Sequence, residues 1–170
     1  FIAAKKGRVG KSLVEDNKIK AALGIIKDAK ENKVTLILPV DSVNSTSFND
    51  QLASSISEIN KIPTNEMGLD IGPKSINLFN KEILSSKTIL WNGPMGVFEF
   101  DNFSKGTLSV GESICKSTGK GAFSLVGGGD SIAAIKKFNL TGGISYISTG
   151  GGAMLKYLEG KELPALKALL

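Results

Sequence analysis

Phe123-Ser124-Leu125-Val126-Gly127-Gly128-Gly129-Asp130-Ser131 runs from a short apolar, strand-like tetrad into a glycine cluster, and residues 131–138 then read as a short helix. The succession returns at once. Residues 144–148 form an apolar run, Thr149-Gly150-Gly151-Gly152 follows, and residues 153–159 read as a helix with Gly160 as its stop. Strand, glycine turn and helix, repeated, describe βαβ units and a mostly parallel sheet. The expected fold class is therefore α/β, a Rossmann-like three-layer α/β/α arrangement. In open sheets of this kind ligands lie outside the carboxyl ends of the strands, where both glycine clusters fall.

Working outward, residues 87–91 read as another strand, ending at Asn92-Gly93-Pro94. Residues 104–117 follow helical spacing through Leu108, Ile114 and Cys115. Gly72-Pro73-Lys74-Ser75 opens a helix that continues through Ile76, Phe79 and Ile83 to about residue 86. Residues 33–40, Lys-Val-Thr-Leu-Ile-Leu-Pro-Val, are apolar and β-branched and predict a buried strand. Residues 13–32 predict an amphipathic helix with Ile19, Leu23, Ile26 and Ala29 on its apolar face. The Ser- and Asn-rich residues 41–63 read as a surface excursion with little regular structure. No linker or repeat interrupts the pattern, so one domain is expected.

Composition narrows the function classes. The 170 residues are 41% hydrophobic and 22% charged, ordinary for a globular chain. The net charge of +5 comes from dispersed lysines, with Arg8 the only arginine. Nucleic-acid binders concentrate basic residues on one face, so no nucleic-acid partner is expected. A solvated lysine surface and attraction of small polyanions are both compatible with the charge. No apolar run reaches the ~18 residues of a membrane span, and the first residues lack signal-peptide order. The single Cys115 forms no internal disulfide, which points to a cytoplasmic location. With no histidine there is no Cys/His-type metal site.

The loops carry the candidate chemistry. Gly127-Gly128-Gly129-Asp130-Ser131 offers helix N-terminal N–H groups and a positive dipole end to a phosphate. Ser131 adds a hydroxyl, and Asp130 suits a Mg²⁺ carried by a nucleotide. A tight turn capped by Asp130 or Ser131 is the structural alternative. Thr149-Gly150-Gly151-Gly152 repeats the geometry, and two such turns together can hold a phosphoryl group in transit. Two glycine turns kept for packing is the alternative. After the second strand, Asn92-Gly93-Pro94-Met95-Gly96-Val97-Phe98-Glu99 brings an amide and a carboxylate into one loop, and Glu99 can accept two ribose hydroxyls or be a solvated loop acid. Met67-Gly68-Leu69-Asp70-Ile71-Gly72-Pro73 is a further glycine turn whose apolar residues line a base slot or pack in the core. Gly7-Arg8-Val9-Gly10-Lys11-Ser12 imitates a P-loop, but the pattern needs glycine where Lys5 stands and no strand precedes it. Lys11-Ser12 is expected to open the first helix.

Taken in order, Val9-Gly10-Lys11-Ser12-Leu13, Leu38-Pro39-Val40-Asp41, Gly68-Leu69-Asp70-Ile71-Gly72-Pro73, Trp91 through Glu99, Gly127 through Ser131, Ser148 through Ala153 and Leu158-Glu159-Gly160-Lys161-Glu162-Leu163-Pro164 resemble the phosphoglycerate kinase family along essentially the whole chain. The resemblance implies a reversible kinase of glycolysis that transfers phosphate between 1,3-bisphosphoglycerate and ADP, giving 3-phosphoglycerate and ATP, with Mg²⁺. Residues 1–170 then correspond to a partial C-terminal nucleotide-binding domain of a two-domain enzyme, expected to be monomeric. By similarity Gly68 and Leu69 meet the base region. Asn92 and Pro94 lie near the phosphates, and Glu99 holds the ribose. Gly128, Gly129 and Ser131 bind phosphate, and Asp130 meets the metal. Gly128 and Gly151 supply transition-state N–H donors, and Thr149 looks like an interdomain hinge residue. The N-terminal domain that would bind the phosphoglycerate is absent, as is the family's Gly-Gly-Ala-Lys phosphate segment, so the isolated chain is expected to be inactive. A nucleotide-binding module without catalysis is the first rival. A dinucleotide-binding oxidoreductase is the second, disfavoured because no Gly-x-Gly-x-x-Gly follows the first strand.

Overall fold

The computed structural model describes residues 1–168, so Leu169 and Leu170 of the expected domain lie outside the described residues. The chain divides into two compact units. The first comprises Phe1–Lys81 and Met95–Ser109, the second Glu82–Pro94 and the residues from Val110 onward. Two of the three boundaries fall inside continuous helices, which is why no linker composition announces them.

The first unit contains β1 (Arg8–Val9), α1 (Ile19–Glu31), β2 (Asp41–Ser45), β3 (Ser55–Glu58), β4 (Lys61–Ile62), β5 (Met67–Ile71) and the start of α2 (Pro73–Ser85). Strands β3, β2 and β5 form an antiparallel sheet in that order, while β1 and β4 pair in parallel. The stretch 41–63 therefore carries three strands, not an irregular excursion. Polar residues make the central strand because β2 pairs along both edges and most of its buried side-chain groups find partners, Asn44 Oδ1 being left without one. Buried Asn44 donates from Nδ2 to the hydroxyls of Ser55 (3.1 Å) and Ser57 (2.9 Å), and Ser55 donates to the Glu66 carboxylate. Buried polar groups are tolerated when paired in this way.

The expected strand at 33–40 does not form. Among the described residues, 34–39 carry no ladder, and Val34 and Val40 stand 63% and 44% exposed. An apolar run specifies burial, but a strand also needs a neighbour's N–H and C=O groups. The first helix likewise starts late, after a single 3₁₀ turn at Asp16–Lys18, and buries none of its residues. Lys11 and Ser12 do not open it. Lys11 N–H donates to Glu66 O (2.7 Å), and the Ser12 hydroxyl accepts from Gly68 N–H (2.9 Å). The P-loop look-alike is thus a brace beside β5.

Helix α2 is capped from β2. The buried Asp41 carboxylate accepts the N–H groups of Lys74 (2.9 Å) and Ser75 (2.8 Å) and the Ser75 hydroxyl (2.6 Å). These are the orphan donors of a helix N-terminus, where negative charge is also favoured by the dipole.

The second unit holds the parallel arrangement expected from the sequence. It contains β6 (Thr88–Asn92), most of α3 (Lys105–Gly119), β7 (Phe123–Gly127), α4 (Gly129–Lys137), β8 (Tyr146–Ser148), α5 (Gly151–Leu158) and α6 (Pro164–Lys167). Strands β6, β7 and β8 run parallel in that order. Trp91, Ile114, Val126, Ala134 and Ile135 fill its core.

Candidate functional site

In the second unit the three parallel strands end level with one another. Asn92 pairs with Gly127, and Gly127 with Ser148, so all three turns leave from one rim. Gly128 adopts φ +89°, and a Cβ there would sit 2.5 Å from Asn92 Oδ1. A Cβ on Gly151 would lie 2.8 Å from the Gly128 nitrogen and 3.0 Å from its Cα. The backbones of the two glycine turns are therefore in contact, a distance no larger residue permits. Cβ atoms on Gly129, Gly150 and Gly152 would meet open space.

Helices α4 and α5 start from these turns, with Gly128 and Gly150 as their cap residues. Neither cap makes a side-chain hydrogen bond. The sequence alternative of Asp130 or Ser131 capping α4 is thus not realised. First-turn N–H groups with no side-chain cap and an aligned dipole are what an anion uses. Asp130 is exposed in the first turn of α4. Ser131 is fully buried, and its hydroxyl accepts the Gly93 N–H at 2.6 Å. Trp91 Nε1 donates to Gly93 O at 2.8 Å. The Asn92-Gly93-Pro94 turn is thereby pinned to α4, with Asn92 left exposed at the rim.

In the first unit Gly68 and Leu69 lie on β5, and Leu69 is buried. Leu69 O accepts the Val97 N–H (2.8 Å), which docks the loop ending in Glu99 against the strand. Glu99 is exposed between buried Phe98 and half-buried Phe100. Phe100 packs on Phe48 with ring centroids 5.1 Å apart, and the Asp50 carboxylate accepts the N–H groups of Asp101 (3.2 Å) and Asn102 (3.0 Å). The Ser- and Asn-rich segment before β3 thus props the Glu99 loop, which its composition did not suggest.

Sequence reasoning passed over Asp70. Its side chain is buried, accepting from Ile71 N–H and Gly106 N–H at 2.8 Å each. Burial pushes its carboxyl up to about 6, partly offset by those two donors. The available signal was an acid set between Leu69 and Ile71 in an apolar strand.

Among the described residues no three His, Cys, Asp or Glu side chains gather to hold a metal ion. The exposed Asp130 carboxylate beside the glycine turns nevertheless fits Mg²⁺, which binds through one or two carboxylates and takes its other ligands from phosphates and water. Among the described residues no helix is long and apolar enough to cross a membrane.

Parallel strands ending on one rim in touching glycine turns, with uncapped helix starts behind them, make this an α/β chain of the class that seats anionic ligands at strand carboxyl ends. The chain belongs to the phosphoglycerate kinase family, whose family model matches residues 1–161. It is 54% identical over 169 residues to phosphoglycerate kinase of Porphyromonas gingivalis, covering 99% of this chain and 40% of that protein. It is 50% identical to the enzyme of Chlorobium phaeobacteroides strain BS1, covering 99% and 43%. The phosphoglycerate kinase structure from Coxiella burnetii superposes with a TM-score of 0.91 at 42% identity, covering 98% of this chain and 42% of that one. The Pyrococcus horikoshii structure gives 0.75 at 37% identity, covering 98% and 41%. The chain thus spans about two-fifths of the length of these relatives.

Proposed function

We propose that this chain supplies the Mg-nucleotide half of a phosphoglycerate kinase, which transfers phosphate reversibly between 1,3-bisphosphoglycerate and ADP. The observation that carries the reading is the contact between Gly128 and Gly151 at the rim of the parallel sheet. In the forward direction a β-phosphate oxygen of ADP attacks the acyl phosphorus. The phosphorus–oxygen bond to the acyl group breaks, and the 3-phosphoglycerate carboxylate leaves. Transfer of this kind needs positioning and charge stabilisation more than side-chain chemistry. Backbone N–H groups at Gly128 and Gly151 stabilise the phosphoryl group in transit. Gly129, Asn92 and Pro94 frame the phosphates, and Ser131 fixes the turn beside them. Glu99 binds the ribose, and Gly68 and Leu69 bound the base. Asp130 is the residue that would hold a Mg²⁺ arriving with the nucleotide, where the ion would neutralise phosphate charge.

The phosphoglycerate is bound by a further domain, so residues 1–170 alone give no turnover. The whole enzyme is a cytoplasmic monomer without a nucleic-acid or membrane partner. Family membership favours this over a nucleotide-binding module without catalysis. The test is coupled ATP formation by the complete polypeptide and its Gly151→Ala variant. The added methyl forces the two turns apart, so kcat falls by about 10²-fold or more, as when one oxyanion donor is lost. An unchanged kcat overturns the reading.

A further inference from the structure

We infer that Asp70 and Thr107 form a buried latch that positions the loop bearing Glu99, and so set nucleotide affinity without touching the nucleotide. The inference rests on the ribose-binding reading of Glu99. Asp70 joins β5 to the first turn of α3 through the Gly106 N–H, at 2.8 Å. Thr107, on the same turn and fully buried, accepts from the N–H groups of Met95 (3.1 Å) and Gly96 (3.3 Å). Gly96 and Gly106 both lie close beside the Asp70 carboxylate, since a Cβ at either position would run into Oδ1. The Val97 N–H closes the set on Leu69 O. Three consecutive backbone N–H groups, at 95, 96 and 97, are therefore fixed two residues before Glu99.

A buried carboxylate with only backbone donors is an expensive way to tie a helix to a strand, because its desolvation is not offset by a cation. An apolar pair in place of Asp70 would join β5 to α3 at lower cost, but it would leave the Ile71 and Gly106 amides without their acceptor and free the helix turn that carries Thr107. The arrangement makes sense where the placement of the loop matters more than the stability of the unit. Asp70 and Thr107 are accordingly positioning residues.

The experiment is Mg-ADP binding by calorimetry on the complete polypeptide. It compares Thr107→Val, Thr107→Ser, Asp70→Asn, Glu99→Gln and the double variant Thr107→Val/Glu99→Gln. Thr107→Val keeps the side-chain shape but removes the acceptor, and should raise Kd about tenfold, while Thr107→Ser restores it. In the Glu99→Gln background the Thr107→Val effect should shrink to about twofold or less, because the latch acts through Glu99. Thermal unfolding of each variant excludes loss of fold, and hydrogen exchange should show faster exchange at Met95 and Gly96 in Thr107→Val. A Kd unchanged by Thr107→Val, or a full effect that persists beside Glu99→Gln, overturns the latch. If Glu99→Gln alone leaves Kd unchanged, the ribose reading fails, and the latch with it. If Glu99→Gln weakens binding but coupling is absent, only the latch fails.

Discussion

Lowering the pH from 7 to 4 should stabilise the folded chain specifically through Asp70. Its carboxyl is raised from the ordinary 3.8 to about 6, chiefly by burial. At about 1.4 kcal/mol for each tenfold change in proton affinity, that displacement corresponds to about 3 kcal/mol. The native carboxyl holds its proton more tightly than the unfolded one, so between about pH 4 and 6 the native state binds more protons. Stability from this group therefore falls as pH rises through that window. The cost of ionisation is absent below about pH 4 and fully present above about pH 7. Asp70→Asn cannot titrate, so subtracting its urea-unfolding free energy from that of the parent isolates the group. The parent should gain about 2–2.5 kcal/mol on the variant between pH 7 and pH 4, with equal urea slopes in both proteins. The Gly106 amide, which donates to this carboxylate at 2.8 Å, should titrate with a midpoint near 6 in NMR spectra. A difference that does not vary with pH, one of opposite sign, or a Gly106 midpoint near 4 refutes the reasoning.

Other outcomes follow from the same contacts. Ser75→Ala removes the hydroxyl shared by Val40 N–H, Asp41 N–H and the Asp41 carboxylate, and should destabilise the chain by about 1–3 kcal/mol in urea titrations. A change within ~0.5 kcal/mol would show that the α2 cap does not depend on it. Glu99→Gln should weaken Mg-ADP binding by about 1–3 kcal/mol in calorimetry, the loss of a charge-assisted hydrogen bond. An equal affinity would return Glu99 to the role of a solvated acid.

The second unit was largely legible in advance. Apolar runs ending in glycine clusters give parallel strands with turns at their carboxyl ends, and β6, β7 and β8 obey that rule with small shifts at their bounds. Local signals suffice there because strand, turn and helix follow one another within a few residues. The first unit was read less well. The apolar residues 33–40 lack a ladder, while polar Asp41–Ser45 became the centre of an antiparallel sheet. Strand formation depends on partners distant in sequence, and hydropathy records none of them.

By itself the sequence determined the α/β alternation, the two glycine turns and, through motifs spread over the whole chain, the family. Each follows from residue type at short spacing: glycine where backbones must nearly touch, apolar residues where strands are buried. Only the tertiary structure decided that Gly151 lies against Gly128. It alone committed the Ser131 hydroxyl to Gly93 and made Asp70 and Thr107 the acceptors that hold the loop before Glu99. Those pairings join residues 11 to 38 positions apart. A donor and an acceptor so separated carry no mutual signature until the chain has folded and burial obliges every N–H to find a partner.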